Sequence, residues 1–113
     1  MSIIINLHVR LMYDLTGFQR DLLYCIAAID NPYRLEIKRQ LEGHISRNVN
    51  HGRLYPNLDT LVDKGLIKKR AKDDRTNLYM VTDLAIEVIQ ERREWENSQL
   101  KQIDIAKDQV LSD

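Results

Sequence analysis

Cysteine is nearly missing from this chain: Cys25 stands alone. No internal disulfide can form, and a reducing, cytoplasmic setting is expected. Glycine and proline are scarce as well, at four and two residues. There is no glycine-rich phosphate loop, no Gly/Ser linker and no low-complexity tract, so no boundary between independent domains is expected. At 113 residues the chain is long enough for one core and an appended element, and too short for two cores. Long apolar runs are missing too. The segment "SIIINLHVRLM" is interrupted by Asn6, His8 and Arg10, so neither a signal peptide nor a membrane span is read from it. His8, His44 and His51 share no metal-ligand spacing, and no cysteine or carboxylate cluster joins them. Neither a metal nor a cofactor is expected. No activated nucleophile or acid–base pair stands out, so an enzyme is not expected. Cys25 lies in an apolar helical pattern and reads as a core residue.

Net charge is also absent, with 17 cationic side chains against 17 anionic. Their distribution is uneven. Between Asn50 and Tyr79 seven Lys or Arg face four Asp, whereas from Asp83 onward four cations face eight carboxylates. A basic middle and an acidic tail imply separate tasks, the first of them compatible with a polyanion.

Hydrophobic spacing organises the rest. Ile3, Ile5, Leu7, Val9 and Leu11 alternate with mostly polar neighbours, the period of a half-buried strand, although a helix fits the same residues. Thr16 is a candidate N-cap for a helix to about Ile29, with Phe18, Leu22, Ile26 and Ile29 on one face. "DNP" at Asp30 to Pro32 stops it. A second predicted helix spans Tyr33 to Glu42, with Ile37, Leu41 and Ile45 buried and Gly43 as its end signal. A third spans Asn50 to about Lys64 and closes at Gly65. Leu66–Lys72 and Leu78–Val81, joined by "DDRTN", predict a β-hairpin with a charged tip. Thr82 then caps a last helix running without glycine or proline towards the C-terminus. The order of elements is that of a winged helix-turn-helix: mainly α, with a small β-hairpin wing and a long C-terminal helix suited to dimerisation.

The third helix carries the functional expectation. In "NHGRLYPNLDTL", Leu54, Leu58, Leu61 and Val62 occupy one sector, while Arg53, Asn57, Thr60 and Lys64 form a second stripe. Asn50, His51, Gly52, Tyr55 and Pro56 crowd the amino end. A recognition helix presents its amino-terminal residues to base edges, where Arg pairs with guanine and Asn with adenine. Gly52 lets a phosphate approach the backbone, and Tyr55 carries a hydroxyl suited to a phosphate oxygen. Pro56 removes one backbone hydrogen bond and crowds the Gly52 carbonyl, so a tight or bent first turn is expected. On the hairpin, Lys68, Lys69, Arg70, Lys72, Arg75, Thr76 and Asn77 are placed to meet backbone phosphates or a minor groove.

"GRLYPNLDTLVDKGLIKKR", followed by "DDRTNLYMVT", resembles the PadR-like winged-helix transcriptional regulators. That family has a Leu-Tyr-Pro motif in its recognition helix and a Gly-Leu-Ile passage into the wing. "MYDLTGFQRDLLY" resembles the opening of its short archaeal members. The resemblance implies a DNA-binding dimer, usually a repressor, paired through its C-terminal helix and N-terminal region, with an effector that differs among members. Tyr55, Pro56, Arg70, Lys72 and Arg75 match the motif positions. Residues 1–11 depart from the pattern and read as an extension, followed by a DNA-binding domain over 12–82 and a dimerisation helix over 83–113. Within the last helix Leu84, Val88, Trp95, Leu100 and Ile103 are candidate interface residues, and Ile86, Ile89 and Val110 add to its apolar stripes. The expected partners are double-stranded DNA and a second copy, with no membrane; the expected location is cytoplasmic, on the nucleoid. Two other readings stay open: a partition or architectural protein that coats DNA, and a winged-helix module that binds protein instead.

Overall fold

The computed structural model describes the backbone of residues 3–112 and the side chains of residues 3 and 6–105. Ile5 and Val110, both in predicted stripes, therefore lie outside the described side chains, and Asp113 outside the described chain. Five helices and one hairpin follow in the order α1 (Ile3–Asp14), α2 (Gly17–Ala28), α3 (Arg34–Ile45), α4 (His51–Asp63), β1 (Ile67–Ala71), β2 (Asn77–Val81) and α5 (Asp83–Ser112).

The N-terminal segment is a helix, which overturns the strand reading. The alternating Leu7 and Val9 are both exposed, while His8, Met12 and the following Leu15 are buried. Those three recur at helical spacing, and a histidine among them hid the pattern. α1 lies against α5, where His8 Nε2 sits 3.3 Å from Glu87 Oε2.

Thr16 caps α2 as expected. Its hydroxyl accepts the Gln19 N–H at 3.1 Å, and Gln19 Oε1 accepts the Thr16 N–H at 3.1 Å, a reciprocal capping box. Leu22, Leu23, Cys25 and Ile26 bury the inner face of α2. α3 passes through Gly43, the predicted end signal, and stops at Ser46, which adopts the left-handed conformation at φ 56°. Glycine inside a helix costs only about 1 kcal/mol, which the buried Ile37 and Leu41 outweigh. Leu54, Leu58 and Leu61 of α4 are wholly buried at the centre of the core. Gly65, at φ 74°, reverses the chain after α4, with the Leu66 N–H donating to Leu61 O and the Gly65 N–H to Val62 O.

The hairpin pairs antiparallel, with Ile67 opposite Val81 and Ala71 opposite Asn77. Tyr33 adds an isolated bridge to Leu78, and the Tyr79 N–H donates to Pro32 O at 2.8 Å, so the start of α3 is sewn to the wing. Thr82 joins wing to last helix: its hydroxyl donates to Gly65 O at 2.7 Å and accepts the Ala85 N–H at 3.2 Å. This places α4 and the wing side by side, with α5 leading away.

Candidate nucleic-acid interface

α4 begins where Asn50 Oδ1 accepts the Gly52 N–H at 2.7 Å. A Cβ on Gly52 would stand 3.2 Å from that same oxygen, so the glycine clears space for the cap. The Arg53 and Leu54 N–H groups both donate to Asn50 O, at 3.0 and 3.1 Å, giving a tightened first turn. Pro56 then lies inside a continuous helix. His51, Arg53, Tyr55 and Pro56 are exposed; Asn57, Thr60 and Lys64 are half-buried. The polar stripe therefore lies about a quarter-turn from the leucine face, at the edge of the buried side.

Several side chains are already occupied within the chain. The Arg53 guanidinium stacks over the Phe18 ring at 4.1 Å. Asn57 Nδ2 donates to Arg53 O at 2.7 Å, and Asn57 Oδ1 accepts from Gln19 Nε2 at 2.9 Å. The Thr60 hydroxyl donates back to Pro56 O at 3.0 Å. Asn57 and Thr60 therefore brace α4 as well as facing outward.

Arg34, at the first position of α3, is a candidate contact residue that the sequence pattern did not single out. Its guanidinium lies over the Tyr55 ring at 4.9 Å, and Nη1 meets His51 Nδ1. Between α3, α4 and the wing lies a cavity of roughly 220 Å³ lined by Tyr33, Arg34, Tyr55, Arg75, Thr76 and Asn77, with Tyr79 at its base. No carboxylate lines it. Burial is the main cause pushing the Tyr79 hydroxyl up, so it stays neutral there, as a phenol. The pairing of Tyr33 with Leu78 and the Tyr79 N–H bond to Pro32 O, invisible in a linear pattern, bring Arg34 to the wing.

On the hairpin Lys68, Lys69, Arg70 and Lys72 are exposed, as is Arg75 at the tip. The tip is closed by the Lys72 N–H donating to Thr76 O at 2.8 Å and by Asp73 Oδ1 accepting the Arg75 N–H at 2.9 Å. That hydrogen bond is the first of the contacts that hold the Asp73 carboxyl below its ordinary range.

The C-terminal candidates divide. Val88 is fully buried in the core and Leu84 packs partly against it, so Val88 is unavailable to a partner. Its place is set by helical phase: the first turns of α5 lie on the body of the domain. Trp95, Leu100 and Ile103 are more than half exposed. Trp95 also stacks on Arg92, at 4.6 Å, and borders a cavity of roughly 400 Å³ with His8 and Tyr13 of α1.

Three helices, a two-stranded wing and an exposed basic helix amino end define a winged-helix DNA-binding transcription regulator. The chain belongs to the PadR-like family of transcriptional regulators, whose family model matches residues 22–91. It is similar to RosR of H. salinarum, at 38% identity and a TM-score of 0.71 over 88% of this chain and 97% of that one. A structure of RosR in a complex matches at 36% identity and a TM-score of 0.76, over 94% and 99%. A PadR-like transcription factor from Bacteroides fragilis shares the fold alone, at 15% identity and a TM-score of 0.62 over 78% and 88%. Among curated proteins nothing matches the chain. No described helix is long and apolar enough to cross a membrane.

Proposed function

We propose that the protein binds duplex DNA as a homodimer and represses transcription by occupying a promoter. The observation that carries DNA contact is the carboxylate-free cavity between α4 and the wing, with Arg34 and Arg75 facing it. Phosphate is the anion such a cleft suits, since planar guanidinium groups bind it through paired hydrogen bonds. In this reading α4 enters the major groove with Arg53 towards a base edge. Lys64, Arg70, Lys72, Arg75, Thr76 and Asn77 meet flanking phosphates.

Homodimerisation rests on the phase of α5. At 100° per residue, Leu84, Ala85, Val88 and Ile89 form the face that packs on the domain. Trp95, Leu100 and Ile103 continue that same face, within a sector of roughly 140°, where the domain no longer covers it. A second copy of the helix supplies the missing cover, and two-fold symmetry then calls for a palindromic site with half-sites about one helical turn apart.

The test is binding to a fragment from upstream of the protein's own gene, titrated against salt and footprinted. A single protected palindrome with steep salt dependence supports the repressor. Protection spreading along the fragment would point to a DNA-coating protein. Weak binding that is flat with salt would overturn DNA recognition altogether.

A further inference from the structure

The outward face of α4 is tied to α2 by two contacts that use no leucine. One is the Arg53 guanidinium lying over the Phe18 ring at 4.1 Å. The other is a relay of amides. Gln19 Oε1 is taken up by the Thr16 N–H at 3.1 Å, which leaves Gln19 Nε2 to face α4. That donor meets Asn57 Oδ1 at 2.9 Å, and the orientation forces Asn57 Nδ2 onto Arg53 O at 2.7 Å. The N-cap of α2 thereby dictates which way the Asn57 amide points, and the Asn57 amide holds the backbone of the residue that carries the guanidinium.

An arginine free in solution samples many rotamers, and freezing it on binding costs affinity. A guanidinium already stacked on a ring has its plane set and presents its outer nitrogens as a rigid fork. Guanine recognition in the major groove needs such a fork. We infer that Phe18 and Gln19, both on α2, are positioning residues for base reading: Phe18 holds the plane of Arg53 and Gln19 holds Asn57. The inference rests on the proposal that α4 reads DNA. It also changes the part given to Asn57, which acts here as a brace between Gln19 and Arg53, and it moves part of the specificity off the recognition helix.

The experiment begins with the full-length wild-type chain selecting duplexes from a random-sequence library. The enriched duplex and a scrambled duplex of equal composition are then the probes for wild type, Phe18→Leu, Phe18→Tyr and Gln19→Ala. Phe18→Leu and Gln19→Ala are expected to weaken binding to the enriched duplex by roughly tenfold. Binding to the scrambled duplex and the slope of affinity against salt should stay unchanged, because no phosphate contact is lost. Phe18→Tyr keeps the ring and should restore the preference, which a loss of packing alone would not predict. Melting curves of each variant verify folding, and Gln19→Ala carries the test should Phe18→Leu unfold. Equal loss on both duplexes, or an unchanged preference in Phe18→Leu and Gln19→Ala, overturns the inference while leaving DNA reading by α4 intact. A wild-type chain that enriches no sequence overturns base reading itself and the inference with it.

Discussion

Two arginines on different helices should answer differently to removal. Arg53 is exposed on α4, with its guanidinium over the Phe18 ring. Arg34 faces the cleft beside the wing. Arg53→Ala is expected to cost roughly 1–3 kcal/mol on the preferred site and to relax specificity at one position. Arg34→Ala should weaken binding about equally on all sequences and lower the salt slope by about one. Binding isotherms over a salt series with two duplexes distinguish the two patterns. A third residue contributes to acid behaviour. Glu42 accepts from Lys38 Nζ at 2.7 Å and from the Val49 N–H at 2.8 Å, and these bonds, Lys38 foremost, hold its carboxyl below the ordinary 4.5. Its folded pKa lies below its unfolded one, so its stabilisation is present above about 4.5 and is lost as pH falls through the folded value. Amide exchange should therefore show Val49 losing protection in that acid window, and Glu42→Gln should remove the pH dependence.

At the scale of elements, α4 is the helix whose local chemistry and global task pull apart. Pro56 has no N–H for the Gly52 carbonyl, and two side chains supply extra donors around it, Asn57 to Arg53 O and Thr60 to Pro56 O. The helix survives because Leu54, Leu58 and Leu61 are fully buried beneath it. Burial of one leucine contributes about 1.5–3 kcal/mol, so three together exceed the cost of a single proline. Pro56→Ala is expected to raise stability by roughly 1–3 kcal/mol in urea unfolding. If the proline shapes the end that meets DNA, the same variant binds its preferred site less tightly. Full binding in the stabilised variant would remove that role from Pro56.

The whole molecule is more extended than its length requires. Its radius of gyration is 16.9 Å, against roughly 13 Å for a compact chain of this size, and its longest extent is 63 Å. The excess is α5, which leaves the domain after Arg92 with Trp95, Leu100, Ile103 and Ile105 exposed. α1 lies along its first half and exposes Ile3, Leu7, Val9 and Tyr13. In the proposed dimer these exposed apolar side chains form the association face. Replacing Leu100 and Ile103 together by Glu should give a monomer in analytical ultracentrifugation with its winged helix intact. Its melting temperature should no longer rise with protein concentration, as that of a dimer does. An unchanged sedimentation coefficient would exclude this face as the interface. Deleting residues 1–11 bears on the N-terminal segment: it removes His8 from beneath Glu87, and loss of folding would show that α1 belongs to the core.

Much of this was legible without coordinates because it depends on neighbours in the chain. The Thr16 cap, the break at Pro32, the leucine phase of α4, the turn at Gly65 and the "DDRTN" hairpin are each set within a few residues. Steric and hydrogen-bonding preferences at that range are independent of the fold. Family membership was legible for the same reason, through a run of residues around Tyr55 and Pro56. Only the tertiary structure decided the rest. α1 is a helix because His8, Met12 and Leu15 are the side chains that α5 and the core cover, whichever residues alternate. Val88 belongs to the core and Trp95 does not, although they share a face, because the domain ends between them. Arg34 reaches the wing, and Phe18 and Gln19 reach the outward face of α4, through packing between segments far apart in sequence. Local order follows from the residue and its neighbours; which side chains meet across the molecule follows from the closure of the core.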